Sequence, residues 1–141
     1  MRSKLWTAAA GIVLMMGAGP VLAHHAFSAE FDASHPVKLQ GAITKVELVN
    51  PHAWIHIAVK KADGTSEEWM VEGGTPNTLQ RRGITRESLK VGTEIVVDGF
   101  QAKDGTLKAN GRNMTFSDGR VLFMGSSGTG APRDGKDPTE K

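Results

Sequence analysis

Asp-Gly pairs at 63–64, 104–105 and 118–119 each end one run of apolar residues and open another. That rhythm restricts the chain to strands joined by tight turns. The clearest run is residues 53–59, where Ala53, Ile55, Ile57 and Val59 alternate with His52, Trp54, His56 and Ala58. A period of two places the first set on one face of a strand and the second on the other. Residues 66–73 form the return strand, with Trp69 and Val71 on one face and Glu68, Met70 and Glu72 on the other.

The rest of the body follows the same logic. Residues 37–49 carry Leu39, Ile43, Val46 and Leu48; the apolar parity changes between Ile43 and Val46, which predicts a bulge near Thr44-Lys45. Gly41 permits a sharp bend, and Asn50-Pro51 ends the strand. Residues 75–83 read as a short helix, capped by Thr75, with Pro76 in its first turn and Gly83 as its stop. Thr85 caps a second turn, flanked by Ile84 and Leu89 at staple spacing. Strands are expected at 94–100, 107–116 and 121–124. Three strands, a short helix, then two or three long bent strands fit a mainly all-β fold, a small OB-like Greek-key β-barrel with one short helix between strands 3 and 4. An open antiparallel sandwich is the alternative.

The first 23 residues set the compartment. Arg2 and Lys4 precede a mostly apolar stretch, and Val21-Leu22-Ala23 supplies small residues at −3 and −1. This is the pattern of a cleavable signal peptide (1–23) and predicts export to the periplasm. Taking 23 from the 141 residues leaves 118, one domain's worth. The expected organisation is an arm at 24–36 containing Phe27 and Phe31, a barrel at 37–124 and a disordered tail at 125–141, where Gly, Ser, Pro and charge dominate. Spacing of four lets the two phenylalanines share a helical turn or clamp the barrel wall. Losing Arg2 and Lys4 leaves 15 basic residues against 15 acidic ones. A formally neutral domain has no field to draw nucleic acid or anionic lipid. After cleavage no segment approaches the roughly 20 apolar residues of a spanning helix, so the mature chain is not membrane-integral. With no cysteine, disulfides, thiolate metal sites and thiol catalysis are excluded.

Four groups could carry chemistry. Cleavage after Ala23 exposes His24-His25. A terminal histidine binds metal through its amine and its ring, and a third nitrogen from another imidazole completes a T-shaped set suited to copper as Cu(II). The metal candidates are His24, His25, His52 and His56; His35 is weaker because Pro36 restricts its backbone. The plain alternative is that His24-His25 only begins a flexible arm. The second group is Asn50, His52, Trp54 and His56. On a regular strand the two imidazoles stand about 13 Å apart, at roughly 3.3 Å per residue, too far to share one metal without a bulge or a further ligand. An outward Trp54 between them makes a platform for a ring, a sugar or a peptide, unless the arm folds back and hides it. The third group, Met70, Met114 and Met124, suits Cu(I) by chemistry but core by spacing. The fourth, Arg81-Arg82, complements a helix end and can bind carboxylates; a solvated helix end is the ordinary reading. No nucleophile elbow, phosphate loop or His-Glu-x-x-His helix is present, and the adjacent Glu67-Glu68 face opposite ways on a strand.

These residues together carry a resemblance. His24-His25-Ala26-Phe27, Phe31-Asp32, the Gly41 strand, Asn50-Pro51-His52, the Trp69 strand, Arg82-Gly83 before Leu89, Gly92 before Val96-Val97, and Asp118-Gly119 resemble a bacterial exported family that is a domain of unknown function. The likeness runs over residues 24–124 and implies a small periplasmic β-barrel without assigning an activity. The resulting expectation is a non-enzymatic binding or interaction module for a small molecule or a periplasmic protein, without a resident cofactor, using the Asn50 to His56 surface and the arm. The alternative is a copper-binding protein chelating through His24 with other histidines.

Overall fold

The fold is taken from a computed structural model that describes residues 27–125. The expected leader, His24, His25 and residues 126–141 of the expected tail lie outside the described residues. Six strands form one sheet: β1 (Phe31–Leu48), β2 (Ala53–Lys60), β3 (Ser66–Glu72), β4 (Glu94–Ala102), β5 (Lys108–Phe116) and β6 (Val121–Phe123). A short helix, α1 (Pro76–Arg81), falls between β3 and β4. The strand order is β3-β2-β1-β4-β5-β6, with antiparallel neighbours, and β3 also pairs with β5 in parallel. Through that parallel pair the ladder running from β3 by way of β2, β1 and β4 to β5 returns to β3.

The chain is mainly β, as its alternation predicts. Ala53, Ile55 and Ile57 are fully buried with Ile43, Val71, Ile95, Val97 and Met114, and α1 adds Leu79. Each large apolar side chain of this kind contributes about 1.5–3 kcal/mol relative to exposure. β1 is long because it serves two partners: its first part pairs with β4 and its last part with β2. Gly41 belongs to both ladders, and a Cβ there would lie 2.1 Å from the carbonyl oxygen of Ala58. Only glycine admits so close a backbone approach. The register slips between Ile43 and Lys45, at the predicted bulge.

The start of β1 differs from the sequence reading. β1 begins at Phe31, six residues before the expected Val37, because buried Phe31 pairs with Ala102 across an irregular register that ends at Pro36. Residues 32–36 hold no large apolar side chain and include Pro36, so nothing local signals a strand there. Asp98-Gly99 forms a bulge in the β4–β5 pairing, within the strand expected at 94–100.

The local signals otherwise hold. Thr75 Oγ1 accepts from the Thr78 N–H at 3.2 Å and caps α1, and Thr85 and Ser88 bond reciprocally (2.9 and 3.4 Å) between buried Ile84 and Leu89. At the β2–β3 hairpin Lys61 N–H donates to Thr65 C=O at 2.8 Å, so the loop has three residues and Gly64 takes φ +85°. Asp63 Oδ1 accepts from Thr65 Oγ1 (2.6 Å) and Thr65 N–H (2.9 Å), and those bonds hold its carboxyl below the ordinary aspartate range. Asp104 repeats the arrangement with Thr106.

Candidate functional site

The outward face carries one lateral row of directly opposed residues through all five ring strands. Phe100 on β4 is the partner of Asn110 on β5; Asn110 of Glu72 on β3; Glu72 of Trp54 on β2; and Trp54 of Glu47 on β1. Opposed residues project their side chains from the same face. The row therefore crosses β4, β5, β3, β2 and β1, with Asn110 and Glu72 buried at its centre.

Its centre is a chain of hydrogen bonds. Asn110 Nδ2 donates to Glu72 Oε2 at 3.1 Å, and the other carboxylate oxygen, Oε1, makes a short contact with His52 Nδ1. Asn110 and Glu72 are buried, whereas the His52 side chain is 35% exposed. The backbone beside His52 is tied to the end of β3: Ala53 N–H donates to Gly74 C=O (3.0 Å) and Gly73 N–H to Ala53 C=O (2.8 Å). The preceding Asn50-Pro51 bond is cis. An ionised carboxylate only accepts, so Glu72 selects the tautomer of His52 with hydrogen on Nδ1 and leaves the Nε2 lone pair facing away from the pair. That is the arrangement by which a second carboxylate orients a ligating or proton-transferring imidazole.

His56 is built otherwise. Its ring lies between Glu47 (Nε2 to Oε2, 2.8 Å) and Glu68 (Nδ1 to Oε1, 3.2 Å), with its side chain only 9% exposed. Both nitrogens are engaged, and the contacts join β1, β2 and β3. Lys45, at 2.9 Å from Glu47, together with His56 draws the Glu47 carboxyl below its ordinary value. The sequence reading placed His52 and His56 together on one outward face; the structure gives them separate carboxylates and opposite exposure. Among the described residues no group of three or more histidine, aspartate or glutamate side chains is arranged to hold a metal ion.

Trp54 is half-buried between Glu72 and Glu47. The described part of the arm packs at Phe100: Phe27 packs on Phe31 (centroids 5.8 Å apart) and edge-on against Phe100 (5.7 Å), forming with Ala102 a small cluster separate from the main core. The helical turn at 27–30 is held there by Lys103 N–H donating to Glu30 C=O (2.9 Å), and Lys108 lies 3.8 Å from the Glu30 carboxylate. The arm thus sits at the Phe100 end of the row.

The remaining candidates disperse. Asn50 is exposed at the start of the loop and makes no hydrogen bond through its side chain among those described. His35 pairs with Asp32 at 2.7 Å on the exposed start of β1. There the Asp32 carboxyl falls to about 2, chiefly through its bonds from Ser34. Met114 and Met124 are core, and Met70 is the outward partner of His56, so the three methionines form no set. Arg82 lies over the Phe123 ring at 4.6 Å and donates to the Gly125 carbonyl, fastening α1 to the end of β6. Arg81 stays at the helix end beside Thr78.

Sequence reasoning missed Glu72 and Asn110. Counting back from the Asp63-Gly64 turn brings Glu72 opposite Trp54 to within a residue, so half of the chain was accessible; the parallel β3–β5 pairing that delivers Asn110 has no local signal.

Over residues 12–112 the sequence matches the model of a family of unknown function, DUF6152. The chain belongs to that family. The matched span includes the histidine pair at 24–25, the arm, His52, Trp54, Glu72 and Asn110, and stops before β6. No curated protein matches the chain.

Proposed function

We propose that this member of DUF6152 is an exported periplasmic binding module, not an enzyme, built on a small OB-like Greek-key barrel. The leader-like first 23 residues support export, and the ladder that returns to β3 through the parallel β3–β5 pair supports the barrel. The observation that carries the binding reading is the buried Asn110–Glu72 pair, which fixes a half-exposed His52 imidazole beside Trp54. Rigid support beneath one polar group and one aromatic platform is what a ligand surface requires. Carboxylates on both sides of the indole favour a ligand with a cationic group or several hydroxyls, either a small molecule or a segment of a periplasmic protein. The test is Trp54 fluorescence in a Trp69→Phe background, titrated with a panel of oligosaccharides and organic cations. A saturable change that is lost in His52→Ala is expected; no response across the panel contradicts this reading.

The second reading is a copper-binding protein that chelates Cu(II) through the mature amino-terminal His24 with other histidines. The free Nε2 edge of His52 favours it.

A further inference from the structure

We propose that a cleft formed by β1, β4 and β5, with the buried Arg112 guanidinium in its lining, is a second binding site, and that it takes a small monocarboxylate with an apolar body. The cleft has a volume of about 280 Å³; Pro36, Val37 and Phe100 give it apolar walls, and Lys38, Asp98 and Arg112 supply its charges. None of Asn50, His52, Trp54 and His56 lines it, so the inference is independent of the reading above. A slip in the β4–β5 register sets Arg112 in place. Asp98 faces Asn113 and Gly99 faces Gly111, so Arg112 is the extra residue that β5 carries across the slip. A bulge of this kind re-aims a side chain. The opposed glycines keep the two strands close there, since a Cβ at Gly99 would lie 2.3 Å from the Asn110 carbonyl oxygen.

Arg112 is 6% exposed, and its guanidinium lies 5.5 Å from the centre of the Phe123 ring. Arg82 stands over the same ring at 4.6 Å and adds to the positive potential behind it. A planar guanidinium with several N–H donors matches the two oxygens of a carboxylate. Burial removes much of the water that would screen that attraction. Lys38 and Asp98 are direct partners across the β1–β4 ladder, so their opposite charges offset each other at the rim. Lys38 and Arg112 against Asp98 leave one net positive charge in the lining, which suits a monoanion and disfavours a dianion. Phe100, braced edge-on by Phe27, and the Pro36-Val37 wall favour a ligand whose remainder is apolar. A volume just under the roughly 300–1,000 Å³ of ordinary ligand pockets limits that remainder to a single ring or a short branched chain.

The experiment titrates the purified protein with benzoate, 3-phenylpropionate and isovalerate, and in parallel with acetate, benzamide and inorganic phosphate, by calorimetry and NMR. The expected result is saturable binding of at least one of the first three, with shift changes centred on Val37, Gly99 and the Arg112 side-chain N–H and none at His52 or Trp54. Acetate lacks the apolar body, benzamide lacks the charge and phosphate carries too much of it, so each should bind about tenfold more weakly or worse. Arg112→Lys keeps the charge without the fork and should weaken binding by about tenfold, and Arg112→Met should abolish it, with circular dichroism confirming the fold. Asp98→Asn leaves Arg112 in place and tests the same charge balance from the rim: binding should tighten several-fold and phosphate should gain most. The proposal is overturned by the absence of saturation for all three acids at about 10 mM, by benzamide binding as well as benzoate, by shifts centred on His52 and Trp54 instead, or by an Asp98→Asn variant with the parent's affinities.

Discussion

His52 and His56 stand four residues apart along one line of alternation, yet they are built in opposite ways. At His52 the carboxylate is buried and the imidazole half-exposed, with one nitrogen engaged. At His56 the imidazole is buried and the two carboxylates lie at the surface, with both nitrogens engaged. The first arrangement presents an oriented group to the outside; the second spends the same side chain on joining three strands. Residue type and spacing do not separate an oriented, exposed imidazole from a fastening one. The placement of the carboxylate does.

The comparison can be broken at several points. The largest effect is expected from Phe27→Ala, which removes a buried aromatic ring from the arm cluster and should cost about 3 kcal/mol in denaturant unfolding. It should disturb the amide signals of Phe100 and Asn110 in NMR spectra and leave those of His56 in place; movement at both His52 and His56 would merge the two systems. Next comes Glu72→Ala, expected to cost about 1–3 kcal/mol because it leaves the buried Asn110 amide without its acceptor. His56→Ala should cost about 1–2 kcal/mol, since Glu47 and Glu68 then face each other without a donor between them, and His52→Ala about 1–3 kcal/mol, since the buried Glu72 carboxylate loses its contact with Nδ1. A loss at His52 well below that at His56 would contradict the burial of the Glu72 carboxylate. Trp54→Ala should stay within about 1 kcal/mol of the parent if the indole is a platform; a loss of about 3–5 kcal/mol would make it core.

Much of this was legible locally. The alternation at 53–59, the bulge at 44–45, the Thr75 cap and the Asp-Gly hairpins follow from side chains a few residues apart. What was not legible depends on distant segments meeting. Phe31 joins β4 only because Ala102 is there to pair with it, and residues 32–36, without a large apolar side chain, conceal the strand. Asn110 reaches Glu72 through a parallel pairing between segments 38 residues apart. The surface of residues 50–56 was found from sequence, but the reason its two histidines differ lies in Glu47, Glu68, Glu72 and Asn110 on three other strands.

The smallest effect expected is that of pH. Glu47, through Lys45 and then His56, and Asp32, Asp63, Asp104 and Asp118, through hydrogen bonds from their own turns, are all held below their ordinary values. A carboxyl lowered on folding stabilises the protein above its unfolded value and loses that contribution as pH falls through its folded value. The melting temperature should therefore hold between about pH 6 and 5 and decline from about pH 4 toward 2. Glu47→Gln should reduce the decline slightly by removing one contributor from the His56 fastening; a steeper decline would contradict the assignment.

The most direct test of the two-histidine account is the rate at which each ring is carbethoxylated in the folded protein, resolved by fragmentation mass spectrometry because both fall in one tryptic peptide. His52, with its free Nε2 edge, should react several-fold faster than His56, and Glu47→Ala should raise the rate at His56 without changing that at His52. Equal rates in the parent protein, or faster reaction at His56, would contradict it.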